Sequence, residues 1–383
     1  MILRGILEQA RGNNGAYRRR GHKERCASYC DTRDRDRDRV VHGRSRGPEG
    51  PRFCKIGVFT RRHQPQDVVF WAMDEDYPRT LLELERRFCT EEACVEYLAA
   101  LRWPGGWACP RCAGADARSI RRTRWLCGHC RYEMSVTAGT IFQDSHVPLT
   151  IWFRAMWQIT SQKNGMSALG LQRVLGLGSY KTAWAMLHKL RRAMVRPGRD
   201  RLDGVVEVDE AYWSGEETGA IGRGAEEKAL IIVAEEEGGK GIGRIRLRSM
   251  PDASSVSKHG FIQEAIAPGS TVRTDGWKHD LGLQGYVHDR QVQSHQEAGE
   301  HLLPRVLGVI ALLKRWLLGT HQRAIGQQHL DTYLDEFAFR FNRRRSKSRG
   351  KLFYRLAQQA VQVGRVPFAT LVKPQPVVSG GVK

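Results

Sequence analysis

No uninterrupted apolar run in the 383-residue chain reaches the ~20 residues that a membrane-spanning helix needs. The apolar start at residues 1–7 is interrupted by Arg4 and leads into no hydrophobic core segment, so it does not read as a secretory leader. Acid is scarce as well: 41 Asp and Glu face 62 Lys and Arg, for a formal net charge of +21 and an isoelectric point near 10.0. That deficit excludes acidic metal buffers and acidic disordered solvators, and it predicts attraction to a polyanion rather than any particular fold. Hydrophobic content is 41%, too high for a chain that is disordered throughout. The cysteines number nine, and an odd count leaves no fully paired disulfide framework. These absences point to a soluble cytoplasmic protein that meets nucleic acid and has no membrane partner.

Four of the cysteines form two matched pairs, Cys109/Cys112 and Cys127/Cys130, with fourteen residues between the pairs. A Cys-x-x-Cys turn presents two thiolates to one side, and two such turns at this spacing surround one tetrahedral ion, so a structural zinc ribbon is expected. Trp103, Trp107 and Trp125 flank the turns and are candidates to cover the ion. The competing reading, a pair of redox motifs or thiols without a role, is disfavoured because two matched pairs are far rarer by accident than one. Cys26, Cys30, Cys54, Cys89 and Cys94 show no comparable pattern and are read as reduced thiols outside any site.

The segment 1–72 differs from the rest. It carries 17 basic and 8 acidic residues, leaving +12 of the total for the remainder, and its Arg/Asp alternation over 31–39 builds no core. It reads as a disordered or non-native extension in preference to a basic DNA-binding arm, with Met73 as a plausible alternative start. Short amphipathic helices follow over 73–102, then the ribbon over 103–140 with strands around 119–126 and 132–136. Over 148–197 the pattern is helical, and a helix over 167–175, a glycine-bearing turn and a helix over 180–195 make a helix-turn-helix. The second helix offers Lys181, Thr182, Lys189, Arg191 and Arg192 as DNA contacts. An ordinary helical hairpin with a solvated basic face is the plain alternative.

After Gly198 the period changes. Strands are expected over 205–212, 229–234, 244–250 and 270–274, with helices over 252–266, 304–318 and 325–343, an α/β layout occupying 203–345. A basic tail, 346–383, closes the chain, its final Pro- and Gly-containing sequence without expected structure, and Arg343 opens the basic cluster that leads into it. Asp209 and Asp275 lie at the ends of the first and fourth strands. If those strands are neighbours, two hard oxygen ligands meet at one edge of the sheet, which suits Mg²⁺ and phosphodiester chemistry with two ions. Taken singly, a strand-end aspartate is more often a turn former or a helix cap.

Several separate stretches, in order, carry a resemblance: Asp76-Tyr77-Pro78-Arg79-Thr80, the two cysteine pairs, and the runs 135–140, 181–184, 207–210, 274–276, 312–315, 333–337 and 340–343. Over some 280 residues the chain resembles a bacterial insertion-sequence transposase with a zinc ribbon and a DDE-type catalytic domain. The resemblance implies a ribonuclease-H-like mixed sheet with flanking helices, two Mg²⁺ or Mn²⁺ ions, double-stranded DNA at element ends and target as partner, a homo-oligomer on DNA, and a place on the bacterial nucleoid. It assigns Asp209 and Asp275 to the first two catalytic positions, with Glu207 and Glu210 as neighbouring candidates for the first, and Lys314 to a basic position on the last catalytic helix. Seven residues before Lys314 the family carries Glu, or in some branches Asn or His. Here it is Leu307, which binds no metal. Glu297, Glu300 and His301 are possible substitutes from a preceding loop; otherwise this copy has decayed and binds DNA without cutting it. Two rivals stand beside the transposase: a non-catalytic DNA-binding regulator and a metal-dependent nuclease without strand transfer.

Overall fold

Thr80 and Thr90 begin the first two helices by the same device. The Oγ1 of Thr80 accepts from the Glu83 amide at 3.2 Å and that of Thr90 from the Ala93 amide at 3.3 Å, starting α1 (Leu81–Arg87) and α2 (Glu91–Arg102). The computed structural model describes residues 75–121, 123–196, 198–214, 228–239, 241–276, 284–291, 302–322 and 325–372. The extension 1–72 and the candidate ligands Glu297, Glu300 and His301 lie outside the described residues, and all contacts below fall within the unit Ala72–Lys383.

A three-stranded antiparallel sheet, β1 (Ala117–Arg121), β2 (Arg124–Cys127) and β3 (Glu133–Ser135), forms the ribbon. Then come α3 (Leu149–Ser161), α4 (Ala168–Leu175) and α5 (Tyr180–Ala193). α3 begins after Pro148, which offers no side-chain cap; the Glu91 carboxylate supplies one, accepting from the Leu149 amide at 2.9 Å and the Thr150 amide at 3.4 Å. The apolar stripe of α3, with Trp152, Phe153 and Met156, packs against α2, α5 and a helix from the far end of the chain.

That last helix, α9 (Arg349–Ala360), lies in the stretch expected only as a basic tail. Leu352, Phe353, Leu356 and Ala360 recur at helical spacing and are buried, with the Phe353 ring 5.5 Å from that of Phe153. The basic count of the segment masked this stripe. Gly350 shows how closely it docks: a Cβ there would stand 1.7 Å from the Pro78 carbonyl oxygen. A short helix, α10 (Phe368–Val372), follows.

The larger sheet has the order β6-β5-β4-β7-β8. β4 (Val205–Ser214), β5 (Lys228–Gly238) and β6 (Gly241–Met250) pair antiparallel; β7 (Thr271–Asp275) runs parallel to β4, and β8 (Val287–Gln291), a strand not expected from the sequence, runs parallel to β7. The period-2 alternation sorts the faces. Val206, Val208, Ile232, Ala234 and Val272 pack on Phe261, Ile262 and Ala265 of α6 (Ser255–Ala265). Ala211, Trp213, Ile231, Val233 and Leu247 pack on α7 (Pro304–His321) and α8 (Leu330–Asn342). The result is a mixed sheet with helices on both faces, the ribonuclease-H-like α/β arrangement expected.

α8 also closes the exposed edge of β6. Asn342 accepts from the Ile245 amide at 2.8 Å and donates to its carbonyl at 3.1 Å, Asp331 accepts from the Ser249 amide at 2.7 Å, and the Arg344 guanidinium reaches the Gly243 carbonyl at 3.2 Å. An open strand edge is a template for unwanted pairing, and here side chains occupy it. Among the described residues no helix is long and apolar enough to cross a membrane.

Candidate metal centres and nucleic-acid interface

The two cysteine turns are built alike. Cys109 donates its amide to the Gly114 carbonyl at 3.0 Å, as Cys127 does to that of Tyr132 at 2.9 Å. Four residues after each leading cysteine the backbone turns left-handed, at Ala113 with φ 58° and Arg131 with φ 59°, and donates back to the cysteine carbonyl. The amides of Arg111 and Cys130 point at the Sγ atoms of Cys109 and Cys127, both at 3.4 Å. All four Sγ atoms lie within 4.8 Å of one another. Bonds of about 2.3 Å to a tetrahedral zinc ion separate sulfurs by a little under 4 Å, so the site fits the ion in donor chemistry and size. Trp103 packs edge-on to Trp125 at 5.4 Å and to Trp107 at 6.5 Å beside the turns. At Gly128 a Cβ would meet an Asp116 carboxylate oxygen at 2.0 Å, so a larger residue there needs that exposed side chain to turn away.

The acidic residues sort themselves on β4. The parallel register pairs Glu207 with Arg273 and Val208 with Thr274, and Asp209 and Asp275 follow directly, on the sheet face that α7 covers. Burial pushes Asp209 up to about 6; the Glu210 amide, donating to its Oδ1 at 2.7 Å, opposes this, while the charges of Asp275 and Glu210 add to the rise. Two carboxylates set side by side in a partly desolvated place favour a cation between them. The neighbouring acids are engaged elsewhere. Glu210 pairs with Lys258 of α6 across the opposite face. Glu207, 2% exposed, accepts from the Arg305 and Val306 amides at the start of α7. Glu207 and Glu210 are thus bound to other partners, and Asp209 is the acid whose charge meets that of Asp275. That engagement of Glu207 is a feature sequence reasoning missed: the shared strand face was legible, the helix end above it was not.

α7 carries Val306, Val309, Ile310, Leu313, Trp316 and Leu317 inward. Leu307, Ala311 and Lys314 form an exposed row, with Leu307 37% exposed. The row exists as expected, and its first member is apolar.

The helix-turn-helix is present, with α4 capped by Ser167 and ended by Gly176 in left-handed conformation, φ 63°. Its outward end consists of Arg173, Val174, Tyr180 and Lys181, all exposed. Thr182 is half-buried behind it. Lys189 is half-buried too, its Nζ donating to the Gln143 carbonyl at 3.4 Å, and burial lowers its pKa. Arg191 corrects the sequence-based expectation: its side chain is 1% exposed, bound by Glu336 of α8 at 2.8 Å and stacked over the Tyr333 ring at 4.0 Å, out of reach of any DNA. The helical period showed a basic face but not that α8 covers it. Arg192 is half-buried on the same side. Arg343 donates to the Phe339 carbonyl at 3.1 Å and lies over that ring at 4.0 Å, and burial brings its pKa down to about 10.

A mixed α/β sheet with two aspartates at adjacent strand ends, preceded by a cysteine ribbon and a helix-turn-helix, defines a ribonuclease-H-like module joined to nucleic-acid-binding elements. Residues 201–342 match the ISXO2-like transposase domain, and residues 89–133 match the transposase zinc-ribbon domain. The chain is also 25% identical over 282 residues to an uncharacterized protein in transposable element ISH50 of Halobacterium salinarum, covering 67% of this chain and 92% of that protein. The chain thus carries a match to a transposase zinc-ribbon domain followed by a match to an ISXO2-like transposase domain.

Proposed function

We propose that the chain binds the terminal inverted repeats of a bacterial insertion sequence and descends from an enzyme that cuts and rejoins DNA there. The observation that carries this reading is the placement of Asp209 beside Asp275 on one face of two parallel strands, with Asp209 pushed up to about 6 by burial and by its acidic neighbours. Two Mg²⁺ or Mn²⁺ ions at these carboxylates supply activation of a water or 3′-hydroxyl and stabilisation of the leaving oxygen. In cutting, a water oxygen bonds to phosphorus and the 3′-oxygen leaves as a hydroxyl. In joining, that 3′-hydroxyl bonds to a target phosphorus as the target's own P–O bond breaks. Lys314, exposed on α7, meets DNA phosphate, and the exposed end of the helix-turn-helix around Tyr180 and Lys181, with Thr182 half-buried behind them, is the groove-facing surface. Cys109, Cys112, Cys127 and Cys130 would hold a structural zinc ion that keeps the ribbon folded. Paired ends call for a homo-oligomer, and the substrate places the protein on the bacterial nucleoid.

Leu307 favours a second reading, in which this copy keeps binding and has lost chemistry. An exposed leucine where a third oxygen or nitrogen donor is needed leaves the metal site, among the described residues, with two carboxylates. Labelled element ends incubated with the protein in Mg²⁺ or Mn²⁺ separate the readings. Joined product supports an active transposase, nicking alone a nuclease, and a mobility shift without cutting a binding protein. Asp209→Asn and Asp275→Asn are expected to abolish whatever cutting occurs and to leave binding intact. Equal cutting by the parent and both variants would overturn the site assignment. A gain of cutting in Leu307→Glu identifies the inactivating position.

A further inference from the structure

α7 starts without a cap of its own. Leu303 stands at the N-cap position with no side-chain hydrogen bond, and Pro304, the first helical residue, has no amide hydrogen. The Leu307 amide finds the Leu303 carbonyl at 3.1 Å. The two remaining first-turn donors, the Arg305 and Val306 amides, both go to Glu207 Oε2, at 3.0 and 2.9 Å. Every backbone donor of the turn is thereby satisfied, and the acceptor is a strand residue two positions from Asp209 on the same face. The carboxylate also lies where the helix dipole favours negative charge.

The surroundings make this link specific. Glu235, directly across the strand pair from Glu207 and 0% exposed, accepts through its Oε1 from the Gly243 amide at 2.6 Å. The Arg305 side chain donates to Glu237 at 2.6 Å and to the Gly239 carbonyl at 3.2 Å, so the same turn is held from the β5–β6 hairpin as well. The chain uses a distant glutamate in the same way once more, at α3, where Glu91 caps the helix after Pro148. That helix carries no acidic site, which makes Glu91 a ready control.

We propose that Glu207 is a positioning residue that sets residue 307 against Asp209, by clamping the first turn of α7 to the strand that carries the first metal-binding carboxylate. The inference rests on the reading of Asp209, Asp275 and position 307 as one metal site. The Glu207 side chain is buried and its Oε2 is taken up by two amides, which assigns it to the helix end.

The test is a cycle between positions 207 and 307 in the full zinc-loaded chain, read as Mn²⁺ affinity by titration calorimetry, with hydrogen exchange at the Arg305 and Val306 amides as a readout independent of metal. Leu307→Glu is expected to tighten Mn²⁺ binding by about tenfold, the scale on which shell residues act at metal sites. In the Glu207→Ala background that gain is expected to disappear and the two amides to exchange faster; Glu207→Gln, which still accepts hydrogen bonds, should keep most of the gain. Glu91→Ala, a matched loss of a cap, is expected to lower stability and leave the gain intact. A gain of equal size with Glu207 and with Glu207→Ala would overturn the inference and leave the metal-site reading standing. No gain from Leu307→Glu in either background would reject that reading and the inference with it. If both Glu207 variants fail to fold, the residue is structural and the inference falls.

Discussion

The Arg191 guanidinium meets the Glu336 carboxylate at 2.8 Å with 1% and 0% of their side chains exposed, and Arg340 approaches the same carboxylate at 3.2 Å. Through this contact the second helix of the helix-turn-helix, α5, is bound to α8, the helix that seals the sheet edge. Beside it, the Lys163 carbonyl accepts from Arg340 at 2.8 Å and the Asn164 carbonyl from Trp316 at 2.8 Å, so the loop after α3 is tied to α8 and α7. A Cβ at Gly165 would stand 2.3 Å from a Glu336 carboxylate oxygen, which is why the loop carries glycine there, at φ 65°.

Removing one partner of that buried group leaves two arginines without their counter-charge. Glu336→Ala is expected to destabilise the protein by about 3–5 kcal/mol. A double replacement of Arg191 and Glu336 by apolar residues of similar volume should cost less than either single change. Urea denaturation monitored by tryptophan fluorescence checks both; additive losses would show that the pair is not coupled.

Zinc removal should act locally. Chelation, or Cys109→Ser, is expected to unfold the ribbon, seen as rapid hydrogen exchange over 117–135, while exchange in β4, β5 and β7 stays slow. Metal analysis should return one zinc per chain and none in a variant lacking two of the four cysteines.

Burial pushes Glu235 up to about 7 from an ordinary value of 4.5; the Gly243 amide opposes this and the Glu207 charge reinforces it. The folded chain thus holds this proton more tightly than the unfolded chain. Its stabilising contribution is full below about 4.5, declines as the pH rises, and is lost above about 7. Glu235→Gln, which still accepts from Gly243, should match the parent at pH 4.5 and exceed it by about 2 kcal/mol at pH 8. Equal stability of the two proteins at both pH values would contradict the assignment.

On DNA, Lys181 and Arg191 should behave differently despite lying on one helix. Lys181→Ala is expected to weaken binding and to lower the slope of log affinity against log salt by about 1, the signature of one phosphate contact. Arg191→Lys, at a site buried against Glu336, should lower the melting temperature and leave that slope unchanged. Fluorescence anisotropy across a salt series reads the two slopes.

Much of this was legible in the residues. The ribbon needs only local information: two cysteine pairs at a set spacing make two turns whatever the rest of the chain does. The row Leu307, Ala311 and Lys314 and the inward stripe of α7 follow from helical periodicity. Asp209 and Asp275 could be placed at strand ends by their context. β8 escaped notice because a five-residue edge strand with Val287 as its one apolar residue has little apolar signal. α9 escaped because its buried face is interleaved with basic positions, Lys351 and Arg355 among them, which pair with Glu75 on the outside.

Sequence by itself determined the zinc turns, the strands and helices with a clear apolar period, and the acidic residues available for chemistry, because each rests on spacing along one stretch of chain. Tertiary structure alone decided what each charge does. Glu207, Asp209 and Glu210 stand within four residues, yet one caps a helix nearly a hundred residues away, one faces Asp275, and one pairs with Lys258 through the other face of the sheet. Arg191 and Lys181 share a helix, yet α8 buries one and leaves the other in solvent. Periodicity along a strand or helix shows which face a side chain is on, and only the packing of distant elements determines what covers that face.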